Sequence, residues 1–342
     1  MMGILHDMYN ELMKTRITTR NRCTRYGYPF SMKWIGSLLL LLILIAAVSS
    51  AGAVESLIKF TRILELTGPV DKPLVMPTDI AIGKDERIYI VDSGNHRVLC
   101  YSRDGKYLFA FGSAGEGDGE LLGPVGITTA EDGSVLLADR GNKRIQIFDE
   151  KGQFLNTIET RSGGKSASPV DVAVDKSGKQ LYVTASIPFH QVFVYGEDEA
   201  GGKVKAVWGK PGSNPGEFRY PATIAIGPDK HIYVVDVFNS RLQVFDVSGK
   251  ALVTIGSWGI TPGHLFRPKG VAIGNDGLIA VSDSYLGVLQ LFDSDKRFQG
   301  VLGEAGDIAH FTTPTGLAFD GKGRLYVAEM LANRVSVLEL EH

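Results

Sequence analysis

The sequence predicts an all-β fold, a six-bladed β-propeller of four-stranded blades, and two observations support this prediction. Six segments begin alike, with a proline followed by a short apolar run, and these prolines are 45 to 52 residues apart: Pro77, Pro124, Pro169, Pro221, Pro268 and Pro314. The 342 residues also include 41 glycines, which without a Gly-X-Y period indicates many tight turns between short strands. A repeat of this length is typical of a propeller blade.

Each repeat contains four short runs with strand character. In the first repeat, the apolar run 80–82 is followed by a turn and by the β-rich run 88–91. After a polar loop, the third run, 98–101, is joined to the fourth, 107–111, by an Asp-Gly hairpin turn. Four antiparallel strands per repeat predict one blade per repeat.

The two ends of the repeat region predict how the ring closes. The sixth repeat stops after its third strand, 334–340, and therefore lacks a fourth. A solitary strand-like segment, 60–66, precedes the first repeat and resembles the fourth strands of other repeats. We expect 60–66 to pair with 334–340, because this completes blade six and leaves no open sheet edge.

The amino-terminal region resembles a leader. Residues 35–48 form an apolar run that is short for a membrane span and typical of a signal-peptide core. Ala51-Gly52-Ala53 matches a small-x-small cleavage pattern and predicts a mature start near Val54. We therefore divide the chain into a leader, 1–53, and a propeller domain, 54–342.

The charge of the leader predicts export. Six basic and two acidic residues lie in 1–33, which holds this end on the cytoplasmic side and places the propeller outside the cytoplasm, in the periplasm or beyond the cell. If the leader is not cleaved, residues 35–53 anchor the protein in the membrane. If translation starts at Met32, the basic segment before the apolar run has the length that is usual in signal peptides.

Charge and cysteine content exclude several classes of function. The whole chain has a net charge of −2, and without the leader it has −6, so nucleic acid is not an expected partner. Two cysteines, Cys23 and Cys100, exclude a disulfide scaffold and a metal site built from clustered cysteines.

The amino-acid sequences of the repeats resemble the NHL-repeat family. Blade four contains the motif nearly whole, in residues 232–245, where Asp-x-x-Asn-x-Arg follows an Ile-Tyr-Val-Val run. The matching residues in four blades are Asp92, Asn95, Arg97, Asp139, Asn142, Arg144, Asp236, Asn239, Arg241, Glu329 and Arg334. Blade five has Val288 in place of the arginine, and blade three has Thr184 with Gln191 after a two-residue insertion. The resemblance implies a propeller over roughly residues 57–340.

The Asp-x-x-Asn-x-Arg motif is interpreted as structural. It recurs once per blade between the second and third strands, where Asp and Asn bond turn backbone and Arg pairs with the carboxylate of its own loop. Catalytic residues differ from one repeat to the next, whereas residues that stabilise every blade recur in each repeat. Positions that differ between blades are therefore better candidates for a site.

The residues one and two positions after each proline are predicted to surround the mouth of the central channel. Their polar members form the candidate binding site: Thr78, Asp79, Asp171, Thr223, Lys269 and Thr315. The two aspartates would hold a cation or a substrate amine, with a merely hydrated channel as the alternative. We expect these charges to be exposed, so that reversing the charge of Asp79 and Lys269 leaves the melting temperature almost unchanged.

Metal chemistry is not predicted. The repeats resemble peptidyl-hydroxyglycine lyases, which place zinc-binding histidines just after the blade proline, but this chain has no histidine at those positions. The Glu, Asn and Asp set of gluconolactonase-like propellers is also missing from the starts of the inner strands. Four residues before a proline remain as metal candidates: Glu120, Glu217, His264 and His310. We assign no cofactor and no catalytic residue.

The sequence thus predicts an exported NHL-repeat propeller that acts as a binding or scaffold module for a protein or glycan partner at the cell envelope. The partner is expected on the face where the prolines lie. The alternative is a lyase or lactonase-like hydrolase that uses the channel mouth. An RNA-binding propeller is disfavoured by export and by the acidic charge.

Overall fold

A computed structural model describes residues 57–175, 178, 180–196 and 204–341. The predicted leader 1–53 and the predicted mature start at Val54 lie outside these residues. Within them the chain is an all-β propeller of six blades, with three short 3₁₀ turns, Ser93–Asn95, Val237–Asn239 and Met330–Ala332, as its helical elements. No helix in this part of the chain is long and apolar enough to cross a membrane.

The two inner strands of each blade line the channel or lie next to it. The first strands all begin at the repeated proline: Pro77–Ile82, Pro124–Thr129, Pro169–Val174, Pro221–Ile226, Pro268–Ile273 and Pro314–Phe319. The second strands pair antiparallel with them: Ile88–Asp92, Val135–Asp139, Gln180–Ala185, Ile232–Asp236, Ile279–Asp283 and Leu325–Glu329.

The two outer strands complete each blade. The third strands are Arg97–Tyr101, Arg144–Phe148, Gln191–Gly196, Arg241–Phe245, Val288–Phe292 and Arg334–Leu340. The fourth strands are Tyr107–Phe111, Phe154–Glu159, Val204–Trp208, Ala251–Ile255, Phe298–Glu304 and, for blade six, Leu57–Leu66. Short pairs within the loops are Ser113–Ala114 with Glu120–Leu121, Arg161–Ser162 with Lys165–Ser166, and Asp307–Ile308 with the end of Phe298–Glu304.

The central strands are buried because each blade packs against a neighbour on both of its faces. The second strand of blade four, Ile232–Asp236, and its third strand, Arg241–Phe245, are buried at every position. The fourth strand, Ala251–Ile255, is exposed at three of its five positions. This explains why the second strands read as continuous apolar runs rather than as an alternating pattern.

The ring closes as predicted. Phe60–Leu66 pairs antiparallel with Val335–Leu340 and supplies the fourth strand of blade six. The same strand begins in blade five, where Leu57–Lys59 pairs parallel with Val301–Gly303. One strand therefore joins two blades into a single sheet.

The motif in blade three needs a correction. Ala185, not Thr184, lies opposite both Pro169 and Gln191, as Asp92 lies opposite Pro77 and Arg97 in blade one. Ala185 therefore occupies the aspartate position, and the loop after it has one extra residue rather than two. The Thr184 hydroxyl instead donates a hydrogen bond to the Ala222 carbonyl at 2.7 Å in the next blade.

The Asp-x-x-Asn-x-Arg motif, or its acid alone in blade five, holds the loop that enters five of the six blades. In blade one, Arg97 Nε donates to Asp92 Oδ2 at 2.7 Å, and Arg97 Nη2 donates to the Lys72 carbonyl at 2.7 Å. The other oxygen of Asp92 accepts the N–H of Val75 at 2.7 Å. The equivalent carboxylates Asp139, Asp236, Asp283 and Glu329 each accept the N–H two residues before their own blade's proline. The acid of the motif therefore fixes the loop just before the first strand in every blade except blade three, which has Ala185 at this position.

The closing strand generates a test of the fold. Leu66 is 3% exposed in the cluster that joins blades one and six, whereas Ile63 in the same strand is 41% exposed at a bulge. We expect Leu66→Ala to lower the free energy of unfolding by about 2–5 kcal/mol and Ile63→Ala to change it by less than about 1 kcal/mol. Urea denaturation of the full chain measures both, and equal effects would contradict the closure.

Candidate functional site

The face on which the prolines lie contains a cavity of about 880 Å³ at the mouth of the channel, here called the mouth cavity. Its wall is formed by the starts of the first strands and by the loops between second and third strands. All six residues of the predicted binding site lie in this wall: Thr78, Asp79, Asp171, Thr223, Lys269 and Thr315. A cavity of this size is in the range that takes a small molecule or the end of a chain.

Asp79 and Asp171 are buried, with exposures of 6% and 4%. The expectation that Asp79 is an exposed charge is therefore wrong. Asp79 Oδ2 accepts the N–H of Ile127 at 2.9 Å, and Asp171 Oδ2 accepts the N–H of Ile224 at 2.8 Å. Each carboxyl group thus bonds the first strand of the following blade, and removing it would cost stability.

Glycines in the preceding blades make room for the two aspartates. A methyl group added at Gly316 would overlap the Asp79 carboxyl, and one added at Gly126 would overlap that of Asp171. Gly316 and Gly126 occupy in blades six and two the position that Asp79 and Asp171 occupy in blades one and three. The buried acids and the missing side chains therefore belong to one packing arrangement.

The two acids act on each other as well as on the backbone. Burial raises the pKa of Asp79 to about 7, although hydrogen bonds from the Ile127 N–H and from the Asp171 side chain oppose the shift. Burial, together with the nearby Asp79 charge, raises the pKa of Asp171 well above its usual value. Both carboxyl groups therefore retain their protons to a higher pH than an exposed aspartate does, and the charge of one affects the titration of the other.

Thr78 and Thr223 of the predicted site use their hydroxyl hydrogens to bond neighbouring blades. Thr78 Oγ1 donates to the Val125 carbonyl at 2.8 Å, and Thr223 Oγ1 donates to the Lys269 carbonyl at 2.7 Å. Thr315 is buried, and its hydroxyl is 3.4 Å from the Pro77 carbonyl across the seam between blades six and one and 3.3 Å from the Ala328 carbonyl of its own blade. These side chains shape the wall and leave Lys269 as the charged group of the set that faces a ligand.

The four metal candidates lie in loops outside the wall of the mouth cavity. Glu120 accepts the N–H of Gly117 at 2.8 Å, and Glu217 accepts that of Asn214 at 3.0 Å. His264 Nδ1 is 3.1 Å from the Thr261 hydroxyl, and His310 is exposed. Among the residues that the structure describes, no group of three or more His, Cys, Asp or Glu side chains is placed to hold a metal ion.

Sequence reasoning missed several residues of the cavity wall, chiefly Arg140, Tyr220, Phe238, Arg267 and Tyr285. Arg140, Phe238 and Tyr285 lie in loops between second and third strands, one or two residues after the motif aspartate. Tyr220 and Arg267 directly precede a blade proline. The sequence does offer a way to find these five residues, because each differs from the residues at the same position in the other blades.

A second set of missed contacts joins neighbouring blades beside the cavity. The residue after the motif asparagine has a left-handed conformation, with φ of 54° at His96 and Ser240. His96 Nδ1 accepts the N–H of Gly123 at 2.9 Å, and His190 Nδ1 accepts that of Tyr220 at 2.9 Å. In blade six, Asn333 Oδ1 accepts the N–H of Met76 at 2.9 Å. Asn333 stands one residue after the asparagine position of the motif, and it therefore bonds blade one rather than the loop of its own blade.

Family models match three parts of the chain. The NHL repeat model matches residues 74–101 and 121–148, which are in blades one and two. A model described as a 6-bladed beta-propeller matches residues 171–255, in blades three and four. No curated protein matches the chain in sequence.

Solved structures with the same fold include enzymes. A gluconolactonase from Xanthomonas campestris has a TM-score of 0.60 and 19% identity, over 78% of this chain and 87% of its own. A streptogramin B lyase has a TM-score of 0.59 and 13% identity, over 81% and 98%. A virginiamycin B lyase from Staphylococcus aureus has a TM-score of 0.56 and 16% identity, over 85% and 97%. At these identities the likeness establishes the fold alone.

The acid pair makes stability depend on pH. Its carboxyl groups have raised pKa values in the folded protein, whereas aspartate titrates near pH 4 in the unfolded chain. Folding therefore takes up protons between about pH 4 and 7, and the free energy of unfolding falls as the pH rises through that window, by up to about 1.4 kcal/mol per pH unit for each proton.

Asp171→Asn should flatten this dependence between pH 5 and 7, because it removes one of the two groups whose raised pKa values generate it. Asp132→Asn, a change in an exposed hairpin turn, should keep the wild-type slope. Urea denaturation across the pH range measures both. Parallel curves for the wild type and Asp171→Asn would show that the pKa of Asp171 is not raised in the folded protein.

Proposed function

We propose that this chain, which belongs to the NHL-repeat β-propeller family, is a binding module that takes a protein or glycan partner at the mouth cavity. We further propose that it does so outside the cytoplasm. The sequence of the leader and the acidic charge of the rest of the chain support this location.

The main support for a binding role is a band of aromatic side chains beside the cavity, here called the aromatic band: Tyr220, Phe238, Trp258, Phe266 and Tyr285. The Tyr220 and Phe238 ring centroids are 5.4 Å apart, and those of Phe266 and Tyr285 are 4.8 Å apart. The Arg267 guanidinium connects the two pairs, because it lies over both the Phe238 and the Phe266 rings. Phe238, Trp258 and Tyr285 are each more than half exposed.

Such a band suits recognition. Aromatic and arginine side chains dominate the energetics of protein interfaces, and aromatic rings also stack on the apolar faces of sugars. The exposed apolar residues occupy one position of the repeat in four consecutive blades, as Ile187, Phe238, Tyr285 and Leu331, whereas blades one and two have Gly94 and Gly141 there. The apolar part of the face is therefore concentrated on one side of the ring, which favours a partner that binds off-centre.

A lyase or lactonase-like activity is the second candidate. The observation that favours it is the acid pair in the wall of the mouth cavity, since carboxyl groups that exchange a proton near neutral pH suit general acid–base catalysis. If it is correct, the purified chain should turn over a streptogramin B or a gluconolactone, and Asp171→Asn should abolish turnover. No turnover of either compound by the wild type would remove this candidate.

The proposed location has its own test. Intact-mass analysis of the protein from its source cells should give a chain that begins near Val54 in a fraction outside the cytoplasm. A chain that retains residues 35–53 in the membrane fraction would replace cleavage by anchoring. A soluble cytoplasmic product would contradict both.

Capture of the partner tests the binding role. The double variant Phe238→Ser and Tyr285→Ser should lose at least about tenfold in the affinity for proteins or glycans from an envelope extract, because two exposed aromatic anchors are removed. Val247→Ser is the matched control, since Val247 is as exposed as Phe238, at 58% against 54%. Val247 lies in the turn between the third and fourth strands of blade four, on the opposite face.

Quantitative affinity capture followed by mass spectrometry measures this loss, and circular dichroism checks that each variant is folded. If the double variant and Val247→Ser capture the same set of molecules equally well, the aromatic band is not the binding surface and the proposed function is wrong.

A further inference from the structure

Among the described residues, three cations in the wall of the mouth cavity form no ion pair: Arg140, Arg267 and Lys269. Arg267 lies over two rings of the aromatic band, whereas Lys269 and Arg140 lie beside Tyr220. Lys269 is half-buried. The buried or half-buried arginines elsewhere in the blades, such as Arg97 and Arg241, each pair with an aspartate or glutamate. An unpaired cation in a partly desolvated position is costly unless a ligand compensates it.

The acid pair compensates the Lys269 charge only in part. The oxygens of Asp79 and Asp171 accept backbone N–H groups of Ile127, Val172 and Ile224, and burial favours the neutral form of both acids. Neither carboxyl group lies within ion-pair distance of the Lys269 ammonium. Burial lowers the pKa of Lys269, and the charges of Asp171 and Asp79, which lie beyond ion-pair distance, offset this shift only in part.

Lys269 and Arg140 both break the symmetry of the repeat. The position of Lys269, directly after the proline, holds Thr78, Val125, Val170, Ala222 and Thr315 in the other blades. The position of Arg140, directly after the motif aspartate or its equivalent, holds Ser93, Ser186, Val237, Ser284 and Met330. A blade therefore forms without a cation at either position. The side chains of Lys269 and Arg140 both face the mouth cavity.

Tyr220 places the two cations side by side. The Lys269 ammonium lies 5.6 Å from the centre of the Tyr220 ring, and Arg140 Nη2 is 3.4 Å from the Tyr220 hydroxyl. The backbone of Tyr220 is held by His190 Nδ1, which accepts its N–H at 2.9 Å. On its other side the ring contacts Phe238 of the aromatic band. Two donors for an anion thus lie directly next to an apolar wall.

We propose that the ligand of the mouth cavity is a carboxylate attached to an aromatic or large apolar group, as at the end of a peptide chain with a hydrophobic last residue. Lys269 and Arg140 bind the carboxylate, and Tyr220 and Phe238 contact the apolar group. This inference rests on the proposed function and names the chemistry that the binding module recognises. A carboxylate suits the site because an ammonium and a guanidinium together supply several charge-assisted hydrogen bonds.

Three probes and matched variants test the proposal by isothermal titration calorimetry on the full chain. The probes are the tripeptide acetyl-Ala-Ala-Phe as the free acid, the same tripeptide as its C-terminal amide, and phenylacetate. We expect the free acid to bind saturably and the amide at least about tenfold more weakly, because the amide lacks the charge. Phenylacetate that binds as well as the tripeptide acid would identify a small organic acid as the ligand, and weaker binding would identify a chain end.

Lys269→Met keeps the length of the side chain without its charge and should weaken binding of the tripeptide acid at least about tenfold. Lys269→Arg should retain binding, and it guards against a loss caused by misfolding of the methionine variant. Lys250→Met is the control, because Lys250 is exposed in the turn between the third and fourth strands of blade four, on the opposite face. It should bind as the wild type does.

Equal affinity for the acid and the amide, wild-type binding by Lys269→Met, or no saturable binding of any probe up to about 10 mM would each overturn the proposal. These failures are distinct from failure of the binding role. If the carboxylate probes fail while Phe238→Ser with Tyr285→Ser still abolishes partner capture, the binding module stands and its ligand has another chemistry.

Discussion

Closure of the ring by the strand Leu57–Leu66 is the constraint on which the rest of the structure depends. This strand completes blade six, and its first residues also pair with the outermost strand of blade five, so the seam is held by backbone bonds to both blades. The cluster that contains Leu66, Leu74 and Tyr326 then joins blade six to blade one. The mouth cavity exists because first strands from all six blades meet around one axis, and residues of blades one and six are brought together there only in a closed ring.

The polar residues fall into two groups: those that recur in most blades and those that occur in one blade alone. Those that recur in most blades, such as the motif aspartates with their arginines, bond the loops of their own blade. These internal contacts occupy their hydrogen-bonding groups. Residues present in one blade alone, such as Lys269 and Arg140, face the mouth cavity and form no ion pair with any described residue. A propeller can thus change its ligand by altering a few positions at one end, because the contacts that build each blade lie elsewhere.

The sequence predicts much of the fold because a blade depends on local patterns. The number of blades and the closing strand follow from the sequence alone, through the prolines, the apolar runs and the unpaired ends. The error at Thr184 arose where a one-residue insertion altered the register, which only strand pairing reveals. The site was harder to predict. Whether Asp79 is exposed depends on Gly316, more than two hundred residues away, and the aromatic band is assembled from loops whose mutual distances follow from ring geometry rather than from sequence spacing.

The fit of Asp79 above Gly316, and of Asp171 above Gly126, has a consequence for how this protein diverges from its relatives. A relative that acquires a side chain at position 316 has no space left for a carboxyl group at position 79, so the two sites are not free to vary independently. An acid at position 79 or 171 therefore requires the glycine that makes room for it, whereas the glycine can remain when the acid is lost. Covariation between adjacent blades at this one layer therefore marks the lineages that retain a buried acid pair, even where the remainder of the repeat has diverged beyond recognition.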